Sequence, residues 1–284
     1  MSDVLIQGLL LGGLYALFAL GQSLMFGVMR LTNTAQGDFI ILGGFFAISL
    51  AAATGLSPGL ALLAVAPVAF VFGYVLQRFV LNGTLGRDPL PSLVVTFGLA
   101  IIIQNMLLEV YSADPRSLDT GALAIDSLSV GGATVGTLPL LIFAVAVLAT
   151  FALQALFSFT SLGRSFRAVS DDREAAQLMG IRPAIVYAQA TGIAFVLIAV
   201  AGAFQAMRTT VAPSDGPLLL LFAFEAVIIG GMGSFWGTLL GAMLLGLTQQ
   251  IGFRFDPGWG IWFGHLMFLA VLLVRPQGLF PKTR

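Results

Sequence analysis

Residues 4–28 read VLIQGLLLGGLYALFALGQSLMFGV, without one charged side chain. A helix rises about 1.5 Å per residue, so a run of this length covers a hydrocarbon core of about 30 Å. The run is longer than a signal-peptide core, and no small-residue cleavage pattern follows it, so it reads as a retained span. In lipid the backbone must bond within its own segment or within a closed barrel. The run is continuously apolar and far longer than a barrel strand, so a membrane helix is predicted.

Similar runs recur near 38–53, 60–79, 92–111, 136–159, 184–207 and 260–274. The stretch 218–251 is also apolar but is split by Gly230-Gly231-Met232-Gly233-Ser234. Two spans and a re-entrant pair of half-helices both fit it. The expected fold is all-α: a polytopic transmembrane bundle of about 7–9 spans with one or two Gly-broken helices. Residues 1–284 are read as a single membrane domain with a charged loop at about 160–183.

Composition agrees. The chain is 58% hydrophobic and 9% charged, against about 25% charged in soluble domains. It has 13 basic and 13 acidic residues, which leaves no basic field for nucleic acid. There is no Cys and one His, His265, so disulfides, iron–sulfur clusters and Cys-ligated or His-rich metal sites are not expected. His265 reads as a packed or interfacial residue.

Basic residues in short loops set orientation. Residues 160–183 carry Arg164, Arg167, Arg173 and Arg182, and the tail carries Arg275, Lys282 and Arg284. Residues 78–91 carry Arg78 and Arg87, and Arg30 follows the first run. Residues 112–135 carry Asp114, Asp119 and Asp126 against Arg116. Placing 160–183 in the cytoplasm puts 112–135 outside, the C-terminus inside and the N-terminus outside.

The charged loop reads SLGRSFRAVSDDREAAQLMGIR over Ser161–Arg182. Ser170 or Asp171 can cap a helix whose first turn holds Asp172 and Glu174, where acids suit the dipole. Gly180 can stop it. The expected product is a short amphipathic cytoplasmic helix, either a docking element or a solvated linker.

Acids at membrane depth are costly and default to functional candidates. Asp38 and Glu225 are the two in question. Asp38-Phe-Ile-Ile-Leu-Gly43-Gly44 echoes Glu225-Ala-Val-Ile-Ile-Gly230-Gly231. Paired Gly-interrupted segments in two halves of a transporter point to its midplane path, although chance similarity in a Gly-rich chain gives the same pattern. Asp38 alone can also be an interfacial helix start. Gln22, Gln104, Asn105, Gln205, Gln249 and Gln250 are expected to bond between helices. The ladders Gly233-xxx-Gly237-xxx-Gly241 and Gly8-xxx-Gly12 are expected to let helices of the chain approach closely.

Five stretches of the chain carry a family resemblance. Arg173-Glu174-Ala175-Ala176-Gln177-Leu178-Met179-Gly180 looks like the coupling-loop motif of bacterial ATP-binding cassette importer permeases. Gly12-Gly13-Leu14-Tyr15-Ala16-Leu17 and Phe26-Gly27-Val28-Met29-Arg30-Leu31-Thr32-Asn33 resemble the high-affinity branched-chain amino acid permeases. So do Gly230-Gly231-Met232-Gly233-Ser234 and Arg275-Pro276-Gln277-Gly278-Leu279-Phe280. After Asn33 the family usually shows Ala-His-Gly-Glu, and this chain has Ala35-Gln36-Gly37-Asp38. That departure bears on the solute.

The resemblance implies a permease subunit of an ATP-driven importer, in the bacterial inner membrane, that passes branched-chain or other hydrophobic amino acids. Related permeases carry urea or short amides. It implies two ATP-binding cassette subunits, a second homologous permease and a periplasmic solute-binding protein as partners. Asp171, Asp172, Arg173, Glu174, Ala175, Ala176 and Gly180 would couple to the ATPases. Asn33, Gln36, Asp38, Gly43, Gly44, Glu225, Gly230 and Gly231 would line the path. ATP and Mg would belong to the partners. The sequence is consistent with that division: Lys282-Thr283 lacks the glycines of a phosphate loop. Gly231-Met232-Gly233 also lacks the third glycine of a dinucleotide fingerprint, since position 236 is Trp. A stand-alone secondary transporter would instead use Asp38 and Glu225 in an ion site. A membrane enzyme would need a catalytic constellation that the chain does not show.

Overall fold

A computed structural model describes residues 2–86, 88–121, 126–130 and 133–280. Arg87, Lys282, Thr283 and Arg284 lie outside the described residues. Eleven α-helices are found among them. They are α1 (Ser2–Met29), α2 (Gln36–Thr54), α3 (Pro58–Phe79), α4 (Leu90–Tyr111), α5 (Thr137–Phe159), α6 (Ser161–Asp171), α7 (Arg173–Leu178), α8 (Pro183–Arg208), α9 (Gly216–Gly230), α10 (Phe235–Phe255) and α11 (Trp259–Val274). Seven helical segments are long and apolar enough to cross a membrane. The expected bundle of membrane helices is therefore found. The loop after α4 also holds a short antiparallel hairpin that the sequence did not announce, β1 (Ser127–Val130) with β2 (Ala133–Gly136).

The split stretch resolves into two helices. Gly231 and Gly233 take φ of 104° and 84°, a left-handed backbone that ends α9 and turns the chain into α10. Ser234 caps α10 by accepting from the Gly237 amide. The other glycine pair behaves differently. Gly43 and Gly44 lie inside an unbroken α2. They serve packing: a methyl on Gly43 would lie 2.8 Å from the Ala199 Cα, and one on Gly44 would lie 2.9 Å from the Gly202 carbonyl oxygen. Only one of the two echoing segments is a broken helix.

The centre of the bundle is α1, flanked by α8, α9 and α10, with Ala16–Leu20 fully enclosed. Glycine ladders set these contacts as expected. Gly8 and Gly12 meet the α10 backbone at Leu247 and Met243, and Gly241 meets α9 at Gly230. Association in lipid depends on such close packing, because no hydrophobic force separates helix from tail. The outer helices turn apolar faces outward: Leu63 is 70% exposed, Phe151 62% and Leu273 85%. In water such a surface would aggregate; against hydrocarbon it is matched to its solvent.

Loops sort to two ends. At one end Ser170 Oγ donates to the Gly27 carbonyl at 2.8 Å, the Leu279 amide donates to Ile229 O at 2.8 Å, and Asn82 Nδ2 donates to Ala184 O at 3.1 Å. The C-terminal tail, the α6–α7 loop and the α3–α4 connection therefore share a face. At the other end Arg116 pairs through its backbone with Val211, and the Leu118 amide donates to Ala206 O. This matches the alternation read from charge.

Candidate functional site

The connection between α1 and α2 does not run along a membrane surface. Gln36 Nε2 donates to the Phe18 carbonyl at 2.9 Å. Phe18 lies eleven residues before Met29 at the end of α1, so α2 begins roughly 16 Å inside the bundle. Arg30, with φ of 53°, reverses the chain, and Leu31, Asn33 and Ala35 climb back buried. Non-helical backbone at that depth is tolerated only where protein encloses it. Thr34 anchors the climb, its hydroxyl 2.8 Å from that of Thr96, well inside α4.

Asp38 sits in the first turn of α2 and is 4% exposed. It presses on Gly216, the first residue of α9, where a methyl group would overlap its carboxyl group. Gly37 is as tight against the Gly216 carbonyl and lies near the Leu220 amide. Two helix N-termini thus converge on one buried acid. Their partial positive charge is the physical reason that a carboxyl group is tolerated there. The interfacial position that the sequence left open for Asp38 does not hold.

Glu225 forms a second polar centre. It is 2% exposed, and its Oε1 pairs with Nδ1 of His265 on α11. Tyr15 stacks near Phe222 at 4.8 Å and donates its hydroxyl to Gln249 Oε1 at 2.6 Å. Glu225 follows Gly216 by nine residues, about 14 Å along α9. The two acids therefore share one helix without meeting. Among the described residues, buried side-chain atoms left without a partner are Gln22 Oε1, Asn33 Nδ2, Gln36 Oε1, Glu225 Oε2 and Gln249 Nε2. Buried polar atoms are nearly always bonded, so these five, four on α1, α2, α9 and α10 and one on the α1–α2 connection, call for a reason.

The sequence reading missed the Glu225–His265 pair, because forty positions separate them. It also missed Gln77, which accepts from Thr191 Oγ1 at 2.8 Å and donates to Asn82. Of the amides it named, Gln249 bonds between helices. Gln205 and Asn105 bond within their own helix, to Thr209 and to the Ile101 carbonyl. Gly230 packs on Gly237 and Thr238, and Gly231 lies under Gly278 of the tail. Removing the Tyr15 hydroxyl by Tyr15→Phe should lower stability by about 1 kcal/mol, measured by unfolding in mixed detergent. No change would mean that the bond is already lost to water.

The charged loop is two helices, not one. Phe166 and Val169 bury the apolar side of α6, and Thr160 caps it through the Gly163 amide. The cap of α7 is Asp172, one or two places beyond the expected Ser170 or Asp171. Its Oδ1 accepts from the Glu174 and Ala175 amides at 2.9 and 3.0 Å. Asp171 instead ends α6. Ser170 ties α6 to the end of α1 through Gly27. Gly180, at φ 84°, closes α7 as expected: Gly180 N–H reaches Gln177 O and Ile181 N–H reaches Ala176 O, a Schellman stop. Ala176 is buried under this turn, while Leu178 and Met179 are 89% and 83% exposed. Arg173, Glu174 and Ala175 are exposed beside them.

The family model described as branched-chain amino acid transport system, permease component, matches residues 4–274. The chain is 32% identical to the high-affinity branched-chain amino acid transport system permease protein BraD of Pseudomonas aeruginosa, over 98% of this chain and 95% of that one. It is 27% identical to the corresponding permease protein LivH of Escherichia coli, over 97% and 94% of the two chains. Among solved structures, PsaBC from Streptococcus pneumoniae in complex with Fab matches with a TM-score of 0.52 and 12% identity. That match covers 97% of this chain and 92% of that chain, and it bears on the fold alone.

Proposed function

Because the chain belongs to the permease family of branched-chain amino acid transport systems, we propose that it forms the membrane path for branched-chain or similar hydrophobic amino acids in an ATP-driven importer. Two ATP-binding cassette subunits dock on the α6–α7 face, a second homologous permease completes the path, and a periplasmic protein delivers the solute. The assembly sits in the bacterial inner membrane with the C-terminus in the cytoplasm. ATP and Mg are held by the ATPases.

The observation that carries this reading is α7. A helix of six residues is too short to be stable alone. Here it is capped at both ends, and α6, which runs directly into it, is tied through Ser170 to the buried central helix α1. Leu178 at the end of α7 and Met179 just after it are exposed apolar residues that no other described residue covers. A push at that point is passed through α6 and its Ser170 hydrogen bond to α1. The acids and unpartnered amides described above lie along α1, α2, α9 and α10 and on the α1–α2 connection. They replace water around the ammonium and carboxylate of a passing zwitterion, and the weakness of that replacement leaves tight recognition to the delivery protein. Asn33, Gln36, Asp38 and Glu225 are the path residues on this reading. Gly43, Gly44, Gly230 and Gly231 act by letting the helices around the path approach.

Uptake by the assembled transporter in proteoliposomes tests it. ATP-driven accumulation of leucine, isoleucine or valine, with urea and acetamide excluded, is the expected result. Uptake of the amides in preference to the amino acids, or uptake without ATP, would overturn it.

A further inference from the structure

A cavity of about 620 Å³ opens at the α6–α7 end of the bundle. Arg78, Arg173 and Arg182 line it, with Gln177, Gly180 and the first residues of α8, Pro183–Ile185. No acidic side chain lines it. Among the described residues none of the three guanidinium groups forms an ion pair. Of the two acids that flank Arg173, Asp172 is committed to capping α7, and Glu174 is not among the residues that line the cavity. The cavity also receives the positive end of α8, a 26-residue helix whose N-cap position offers no side-chain acceptor. Three unpaired cations and a helix N-terminus facing one hollow make a site for an anion.

Position selects the anion. Arg78 lies in the last turn of α3. Val71 and Val75 face outward below it on α3, and Phe79 beside it, at the helix end, is 80% exposed. The mouth of the cavity is therefore at the edge of the apolar belt, at headgroup height. The knob Leu178–Met179, the surface suited to a protein partner, projects from α7 beside the cavity rather than into it. We propose that this cavity binds the phosphate headgroup of an anionic phospholipid, whose acyl chains run down the exposed side of α3. Bidentate guanidinium–phosphate contacts suit such a group, and basic pockets between helices are an established way to hold one. The lipid would brace Arg173 and Arg182, and with them both ends of the α7 turn, against the bilayer.

The full chain, purified in mild detergent, is offered phosphatidylglycerol or phosphatidylcholine of matched chains, and retained lipid is read by native mass spectrometry. Retention of phosphatidylglycerol over phosphatidylcholine is expected. The double variant Arg78→Gln/Arg182→Gln should lose about 30-fold in retention, from about 1 kcal/mol for each arginine removed. Arg254→Gln, exposed at the last turn of α10, should match the unaltered chain. Equal retention of both lipids, or a double variant that holds phosphatidylglycerol normally, overturns the proposal. Displacement of the lipid by millimolar inorganic phosphate overturns the membrane source and leaves a site for free phosphate. If the double variant fails to fold, the lipid comparison on the unaltered chain decides alone.

Discussion

Gly180→Val is expected to cut solute uptake by about tenfold or more while the assembled transporter still hydrolyses ATP. At φ 84° an L-residue costs about 1–2 kcal/mol, and a β-branched one more. That is enough to release the Schellman stop and shift its equilibrium about tenfold. The turn then no longer fixes the direction of Leu178 and Met179, so closure of the ATPases pushes on a yielding element. Asn tolerates this region, so Gly180→Asn should retain most uptake. Uptake and hydrolysis are measured on the same preparation. If Gly180→Val imports at the normal rate, α7 is not the coupling element.

Gly202→Ala should be among the most damaging single methyl additions to the described helices. The added carbon would overlap the Ile40 carbonyl and lie 2.7 Å from the Gly44 amide nitrogen. Both neighbours are backbone, so no rotamer change relieves the clash, and α2 must move away from α8. Overpacking costs about 1–3 kcal/mol where side chains can adjust, and the upper end or more applies here. α2 carries Gln36 and Asp38 at its start, with Asn33 just before it, so the path should be lost with it. Gly98→Ala on α4 meets nothing within 4 Å and serves as the control. Thermal unfolding in detergent should separate the two by many degrees; equal midpoints would mean that the α2–α8 contact is not tight.

Much of this fold is visible in the sequence, because lipid leaves so few choices. Runs such as 4–28 and 136–159 must be helices, and their ends fall within a few residues of α1 and α5. Gly180 is legible because a helix stop needs a local signal, and Asp172 was displaced only because Asp171 still belongs to α6. Residues 30–35 are a different case. Leu31-Thr32-Asn33-Thr34-Ala35 reads as an ordinary polar loop, and nothing local says that it climbs to Phe18. That placement comes from Gln36 and Thr34 finding partners on α1 and α4. The Glu225–His265 pair is illegible for the same reason, since it depends on how α9 and α11 pack. Gly43-Gly44 and Gly230-Gly231 look alike in sequence, yet one packs inside a helix and the other ends one. A glycine pair permits both, and the neighbours choose.

The central claim is that this permease works under ATPase subunits that dock on α7. Purification of the tagged chain from its native membrane in mild detergent, with quantitative mass spectrometry of what accompanies it, tests that most directly. The account predicts two ATPase subunits and a second permease at near-equal amounts, with the ATPases lost when Leu178 and Met179 are both replaced by Asp. A folded, monodisperse chain that comes out alone, or ATPases that stay bound to the Asp variant, would contradict it.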